Sequence, residues 1–229
     1  MGNYYSEKLH AFGLYDVYDT AIERIRQYLE AEIDFVRRNL RGNERVLEIG
    51  AGYGRIMKEL SPRVASMVGI DISEDSVNFG RDYLKDCRNC SLQVMDAHDL
   101  AFAEEFDVVL CLQNGLSALK GKRAPRSLLE GVLKTLVPRG KVYCSTYSPN
   151  FWEVRLAWFY EQAKKGLLGE IDGEATREGR VVCKDGFVST SFSREELDNL
   201  GKALKVPYEV KEVDESSLFL FLDKEAIPV

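Results

Sequence analysis

The chain reads as an α/β protein: a doubly wound, mostly parallel sheet with helices on both faces. Three observations predict it. Short apolar runs alternate with helical patterns from residue 44 to residue 147, the trace that parallel strands joined by crossover helices leave in a sequence. The run over residues 106–112 is almost wholly apolar, as a strand covered on both faces must be. The first apolar run passes directly into a glycine-punctuated turn, Glu48-Ile49-Gly50-Ala51-Gly52-Tyr53-Gly54-Arg55. There the backbone can bend sharply and a ligand can touch the main chain, because no Cβ intervenes.

The elements follow in order. The first segment is aromatic, with Tyr4, Tyr5, Phe12, Tyr15 and Tyr18. Thr20-x-x-Glu23 has the form of a capping box, and apolar residues then recur at helical spacing from Ile22 to Leu40, where Gly42-Asn43 closes the helix. The first strand is predicted over 45–49 and a helix over 53–60. A second strand over 65–70 ends at Asp71, with Ser73 capping the next helix. A third strand over 92–95 ends at Asp96, a fourth spans 106–112, and a helix spans 127–137. Pro138-Arg139-Gly140 then turns into a fifth strand over 141–147.

Beyond Ser148-Pro149 the pattern changes. An aromatic-rich helix is predicted over 151–165, holding Trp152, Trp158, Phe159 and Tyr160. A polar, glycine-rich connection leads to a hairpin, 181–183 with 187–192, around Lys184-Asp185-Gly186. A second capping box, Ser193-x-x-Glu196, starts a helix to about residue 204, and strands over 208–213 and 218–222 end the chain. The whole reads as one domain over 1–229: an N-terminal cap (1–43), a cofactor-binding core (44–148), an insertion on the acceptor side (149–192), and a closing helix and strand pair (193–229).

Composition removes several classes. With 229 residues, 45% hydrophobic and 30% charged, the chain is an ordinary folded protein. No apolar run approaches the roughly 20 residues that span a membrane, and the N-terminus lacks the form of a secretory signal. Met1-Gly2 with Ser6 matches a loose myristoylation pattern, unsupported by any polybasic stretch. A net charge of −6 weighs against nucleic acid as a partner, and the cluster Lys120, Lys122, Arg123 and Arg126 reads as a solvated loop. Cys87-x-x-Cys90 is a single pair, poor as a zinc site. Cys111 and Cys144 sit in apolar runs, as buried thiols do. The odd cysteine count suits a reducing cytoplasm.

The chemistry concentrates at the strand ends, where open α/β sheets bind ligands. The glycines run Gly50-x-Gly52-x-Gly54, so the third comes one residue earlier than in the dinucleotide fingerprint. Glu48 precedes them, where its charge would oppose a pyrophosphate and suit a cationic cofactor. This stretch resembles motif I of the class I, Rossmann-like S-adenosylmethionine (SAM) methyltransferases, close to V-L-[DE]-[IL]-G-x-G-x-G. The likeness runs from about Glu44 to Leu222 and implies a seven-stranded sheet closed by an antiparallel pair.

By that resemblance Gly50, Ala51, Gly52 and Gly54 line the methionine part, with Glu48 beside it. Asp71 holds the ribose, Ile72 lies against the adenine, Asp96 and Ala97 meet the adenine edge with His98 flanking, and Leu112 and Gln113 lie beside the methyl donor. The stretch from Val108 resembles small-molecule N-methyltransferases of the glycine-methylating type, which carry an asparagine like Asn114 after this strand. The N-P-P-[YF] signature of adenine methylation is absent, as is the Pro-Cys nucleophile of cytosine methylation, which disfavours DNA.

The resemblance implies methyl transfer to nitrogen or oxygen of a small molecule, S-adenosylhomocysteine as product, no metal, no membrane, and a monomer or homodimer. Tyr4, Tyr5, Asn114, Tyr147 and Trp152 are the candidate lid and acceptor pocket, with Tyr15, Tyr18 and Arg155 in support. Three alternatives stay open: a protein or tRNA acceptor, a non-catalytic SAM-binding protein, and an NAD(P)-dependent oxidoreductase.

Overall fold

In the computed structural model, which describes residues 4, 8–9, 11–118 and 125–225, seven strands form one sheet and two more a separate hairpin. In chain order the strands are β1 (Arg45–Ile49), β2 (Ser66–Asp71), β3 (Cys90–Val94), β4 (Phe106–Cys111), β5 (Leu136–Tyr147), β6 (Arg180–Val182), β7 (Val188–Thr190), β8 (Tyr208–Val213) and β9 (Ser217–Asp223). The helices are α1 (Phe12–Tyr18), α2 (Glu23–Asn39), α3 (Arg55–Leu60), α4 (Glu74–Tyr83), α5 (Gly115–Ala118), α6 (Pro125–Thr135), α7 (Trp152–Lys164) and α8 (Arg194–Leu204).

The sheet order is β3-β2-β1-β4-β5-β9-β8. β1 to β5 are parallel, and β9 pairs antiparallel with both β5 and β8. The chain starts at β1, steps outward to β3, then returns to β4 on the other side. That reversal opens a crevice at the carboxyl ends of β1 and β4. Neighbouring residues bury toward opposite faces, as the strand's period of two requires. Leu47 and Val109 pack with α6 and α8 through Leu129, Val132 and Leu197. Val46, Val108 and Leu110 pack with α2 and α3 through Val36, Met57 and Leu60. A third cluster, with Tyr28, Tyr147, Phe151, Trp158, Phe159 and Phe187, joins α2 and β5 to α7 and the β6–β7 hairpin. It is this cluster that fixes residues 149–192 above the sheet's carboxyl edge.

Several local expectations shift. The Thr20 capping box does not form: α2 starts at Glu23 with Ile22 as its cap and no side-chain hydrogen bond there. The Thr20 hydroxyl instead donates to Glu161 of α7 at 2.9 Å and accepts from the Ile22 N–H at 3.2 Å. A tertiary partner has outbid the local one. The helix predicted over 127–137 ends at Thr135, because Leu136 already pairs with Phe106 of β4. The register shifts before Val108, with Arg139 at φ 66°; Pro138, lacking an N–H, falls in this irregular stretch, where such a residue is tolerated. By contrast, the Ser193–Glu196 capping box forms in full, and Ser73 caps α4 through the Ser76 N–H.

Candidate functional site

A cleft of about 1220 Å³ lies over the carboxyl ends of β1, β2 and β4. Glu48, Gly50, Ala51, Gly52, Asp71, Ile72, Asp96, Ala97, Leu112 and Gln113 all line it, with Tyr4 and Tyr147 toward its other end. Among the sequence-predicted residues, Gly54, Asn114 and Trp152 are not on its wall. Tyr5, Lys120, Lys122 and Arg123 lie outside the described residues, and Arg126 pairs with Glu130 on the surface.

The glycine turn is held by its neighbours in the sheet. The N–H groups of Gly50 and Ala51 both donate to the Ile70 carbonyl, at 2.9 and 3.0 Å. The Gly52 N–H donates to one Asp71 oxygen at 2.8 Å, and the Ser73 N–H to the other at 2.8 Å. A carboxylate has about four lone-pair sites, so Asp71 fixes the turn and keeps acceptor capacity facing the cleft. Burial raises its pKa, and these N–H bonds oppose the rise. Gly52 needs its freedom twice over: its φ is +54°, and a Cβ there would stand 2.7 Å from Leu14 Cδ2 of α1. Helix α1 thus lies directly over the turn. The Ala11 N–H bonded to Ser76 Oγ at 3.0 Å and Tyr15 set 5.6 Å from Tyr53 hold it there. Gly54, at φ +86°, is the residue before α3 and abuts Leu84 rather than the cleft.

Two titratable groups near the turn keep side-chain atoms with no hydrogen-bond partner among the described residues. Glu48 Oε2 is buried and makes no hydrogen bond, and neither do Nε and one Nη of Arg55. Burial pushes the Glu48 carboxyl up to about 8, with Arg55 pulling it down and Asp71 adding to the rise. The Arg55 guanidinium stacks over the Tyr18 ring at 4.6 Å. At the end of β3, Asp96 Oδ1 accepts from the His98 N–H and lies 2.9 Å from His98 Nδ1, which curls this loop along the cleft rim.

The turn after β4 is strained and pinned. Gln113 and Asn114 adopt φ 52° and 63°, a region that costs non-glycine residues about 1–2 kcal/mol each. Three elements hold it. The Gln113 N–H donates to Glu32 Oε2 at 2.9 Å and to Ser145 Oγ at 2.7 Å. Glu32, fully buried on α2, also accepts from Ser145 at 2.8 Å and Ser217 at 2.5 Å. Burial pushes the Glu32 carboxyl up to about 7 against those hydrogen bonds. The Asn114 amide donates to the Thr190 carbonyl at 2.8 Å and accepts from Thr146 at 2.8 Å. Asn114 therefore ties β4 to the hairpin. It does not face the acceptor space that the resemblance implied for it.

At the far end, Tyr4 donates to Asp185 at 2.6 Å with its ring 5.0 Å from Phe187, closing the N-terminus onto the hairpin. Trp152 stands behind the wall, with the Arg155 guanidinium between its ring and that of Tyr147, at 5.8 and 4.2 Å. Sequence reasoning missed Glu32, Arg55, Gln162 and Arg180. Glu32 did leave a signal, a carboxylate set seven residues after Ile25 on the helix's apolar face.

Residues 46–140 match a family model described as a methyltransferase domain. The ubiquinone biosynthesis O-methyltransferase of Hydrogenovibrio crunogenus is 26% identical over 172 residues, covering 73% of this chain and 66% of that protein. The matched stretch spans 66% to 44% of the length of the first curated relatives. Among solved structures, a SAM-dependent methyltransferase from Methanosarcina mazei superposes with a TM-score of 0.62 at 20% identity, over 84% of this chain and 98% of that one. The N-methyltransferase NodS from Bradyrhizobium japonicum, in complex with S-adenosylhomocysteine, gives 0.61 at 16% identity, over 97% and 99%. At these identities the structural likeness establishes the fold. With the glycine turn and the strand order, residues 46–140 are similar to a methyltransferase domain, and the chain shares the fold of these methyltransferase structures.

Proposed function

We propose that the chain is a SAM-dependent methyltransferase acting on nitrogen or oxygen of a small molecule, with S-adenosylhomocysteine as product. The observation that carries this reading is the set of open atoms at the glycine turn: Glu48 Oε2, and Nε and one Nη of Arg55, have no hydrogen-bond partner among the described residues. Polar atoms left without a hydrogen bond are costly, and a free α-amino acid end supplies a partner for each side chain: its ammonium for Glu48, its carboxylate for Arg55. A pyrophosphate would meet the Glu48 charge instead. The remaining lone pairs of Asp71 suit two ribose hydroxyls. Asp96, Ala97 and Ile72, read as base contacts, and Leu112 and Gln113, read as neighbours of the methyl group, all line the same cleft, which supports the reading. Among the described residues no cluster of three or more metal-ligating side chains occurs, and the reading assigns no step to a metal.

Bound there, the cofactor would supply a methyl group on a cationic sulfur, taken by the acceptor's lone pair as the carbon–sulfur bond breaks with its electron pair left on sulfur, and the proton of the accepting N–H or O–H would pass to solvent. The chain's share is position and environment. The β4 turn, fixed by Glu32, Ser145 and Thr190, sets the floor on which acceptor and methyl line up, and such alignment is the main requirement of an in-line transfer. Tyr18 and Tyr147 give aromatic faces that tolerate positive charge. Helix α1 and Tyr4 cover the cleft and exclude water.

In this reading the chain acts as one domain: residues 1–43 roof the cleft, 44–148 hold the cofactor, 149–192 receive the acceptor, and 193–229 close the sheet. The names of the relatives, an O-methyltransferase and an N-methyltransferase, support oxygen or nitrogen as the accepting atom. The five cysteines are all free thiols, which supports a cytoplasmic setting. No described helix is long and apolar enough to cross a membrane. A small molecule rather than DNA as acceptor, and a monomer or homodimer, complete the proposal. Incubation with methyl-labelled SAM and sets of phenols, amines and carboxylic acids tests it. Label should enter an acceptor with equal release of S-adenosylhomocysteine. Tight SAM binding with no transfer to any of these classes would contradict it.

A further inference from the structure

The far end of the cleft holds polar groups with no hydrogen-bond partner among the described residues. Helix α7 buries Arg155, Trp158, Phe159 and Gln162, positions i, i+3, i+4 and i+7 on one face. Arg155 is spent on the hairpin, donating to the Ser189 carbonyl and hydroxyl at 3.0 Å each. Gln162 is not: it is 2% exposed, lines the cleft, and neither its Nε2 nor its Oε1 has a partner. Nε2 of Gln113, after β4, and Nε of Arg180 on β6 likewise have no partner among the described residues, and both residues line the same cleft. The wall also carries the rings of Trp158, Phe159 and Phe187. A protein does not bury unpaired amide groups without cost, and this set lacks a ligand's atoms.

The set also has a sign. Among the described residues, every carboxylate on the cleft wall, Glu48, Asp71, Asp96 and Asp99, stands at the ends of β1, β2 and β3. Of the wall residues contributed by 149–192, Arg180 alone is charged. The open groups are mainly donors, Nε2 of Gln113, Nε2 of Gln162 and Nε of Arg180, against one acceptor, Gln162 Oε1. We infer that the methyl acceptor is a small molecule with a flat apolar body that carries a carboxylate, held by Arg180, and a hydroxyl or amine directed to Gln162. This rests on the cleft's being the methyl-transfer site. The flat body packs between the aromatic walls, and the guanidinium fork takes both carboxylate oxygens.

The test is calorimetric titration of the full chain, with and without saturating S-adenosylhomocysteine, using 4-hydroxybenzoate and its neutral twin 4-hydroxybenzamide. The acid should bind about tenfold or more tightly than the amide, as one charge-assisted bidentate pair supplies. Arg180→Gln should erase that preference, Arg180→Lys should keep part of it, and Gln162→Leu should weaken both probes alike. Equal affinity for the two probes, a preference that survives Arg180→Gln, or no binding of either below millimolar concentration overturns the inference. If S-adenosylhomocysteine fails to bind while the acid preference holds, the carboxylate site stands and the methyl-transfer reading falls.

Discussion

The two ends of the cleft are built on opposite plans. At the β1–β2 end, polar groups satisfy one another over short stretches of chain: Asp71 takes the N–H of Ser73 two residues on and of Gly52 nineteen residues back. At the α7–hairpin end the anchoring contacts join distant segments. Asn114 reaches Thr190 across 76 residues, Thr20 reaches Glu161 across 141, and Tyr4 reaches Asp185 across 181. The first end is a framework that needs only its own strands to form. The second exists only once the insertion has docked. One end can therefore stay constant in chemistry while the other is rebuilt for a different acceptor, because the rebuilt part shares few hydrogen bonds with the turn.

The comparison breaks most visibly at Asp71. Replacing it with alanine removes the carboxylate proposed to hold the ribose and frees the Gly52 N–H, so SAM should bind more weakly by about 1.5–3 kcal/mol, ~10- to 150-fold. Probe binding at the far end should be unchanged in that variant, as titration of both ligands would show.

Glu48 gives the next effect and a pH signature. Its folded pKa of about 8 exceeds the ordinary carboxylate value of 4.5. The folded chain therefore keeps a proton that the unfolded chain loses between those limits, and the free protein loses stability as pH rises from about 4.5 to 8. An ammonium partner needs the ionised form, so SAM affinity should rise with pH from 6 and level off near 8. In Glu48→Gln both trends should flatten, with SAM bound about tenfold more weakly at pH 8; melting curves and titrations over that range measure each. The smallest effect belongs to the roof. Gly52→Ala forces a left-handed alanine against Leu14, costing about 1–2 kcal/mol, a few degrees of melting temperature in a chain of this size. Adding Leu14→Ala should recover the steric share and leave the backbone share, which a double-mutant cycle separates.

What the sequence made legible follows the same division. The glycine turn, Asp71, Asp96 and the Ser193 box could be read because each rests on a short local pattern, a strand passing into a turn or a helix start, even where, as at Asp71, its partner lies on the neighbouring strand. The tie of the Asn114 amide to a hairpin 76 residues later is something no local pattern reveals. Thr20 failed as a cap for the same reason. Glu32 and Gln162 were passed over because each occupies a core position of an amphipathic helix, where spacing predicts an apolar residue. Polar residues at such positions are the trace that a distant site leaves in a sequence.

The central claim is that the glycine turn holds a sulfonium amino acid on a nucleoside and not a dinucleotide. Parallel calorimetric titrations of the wild-type chain with SAM and with NADH test it most directly. The account predicts one SAM bound per chain, with affinity lost on Asp71→Ala and no saturable NADH binding. Saturable NADH binding without SAM binding would contradict it.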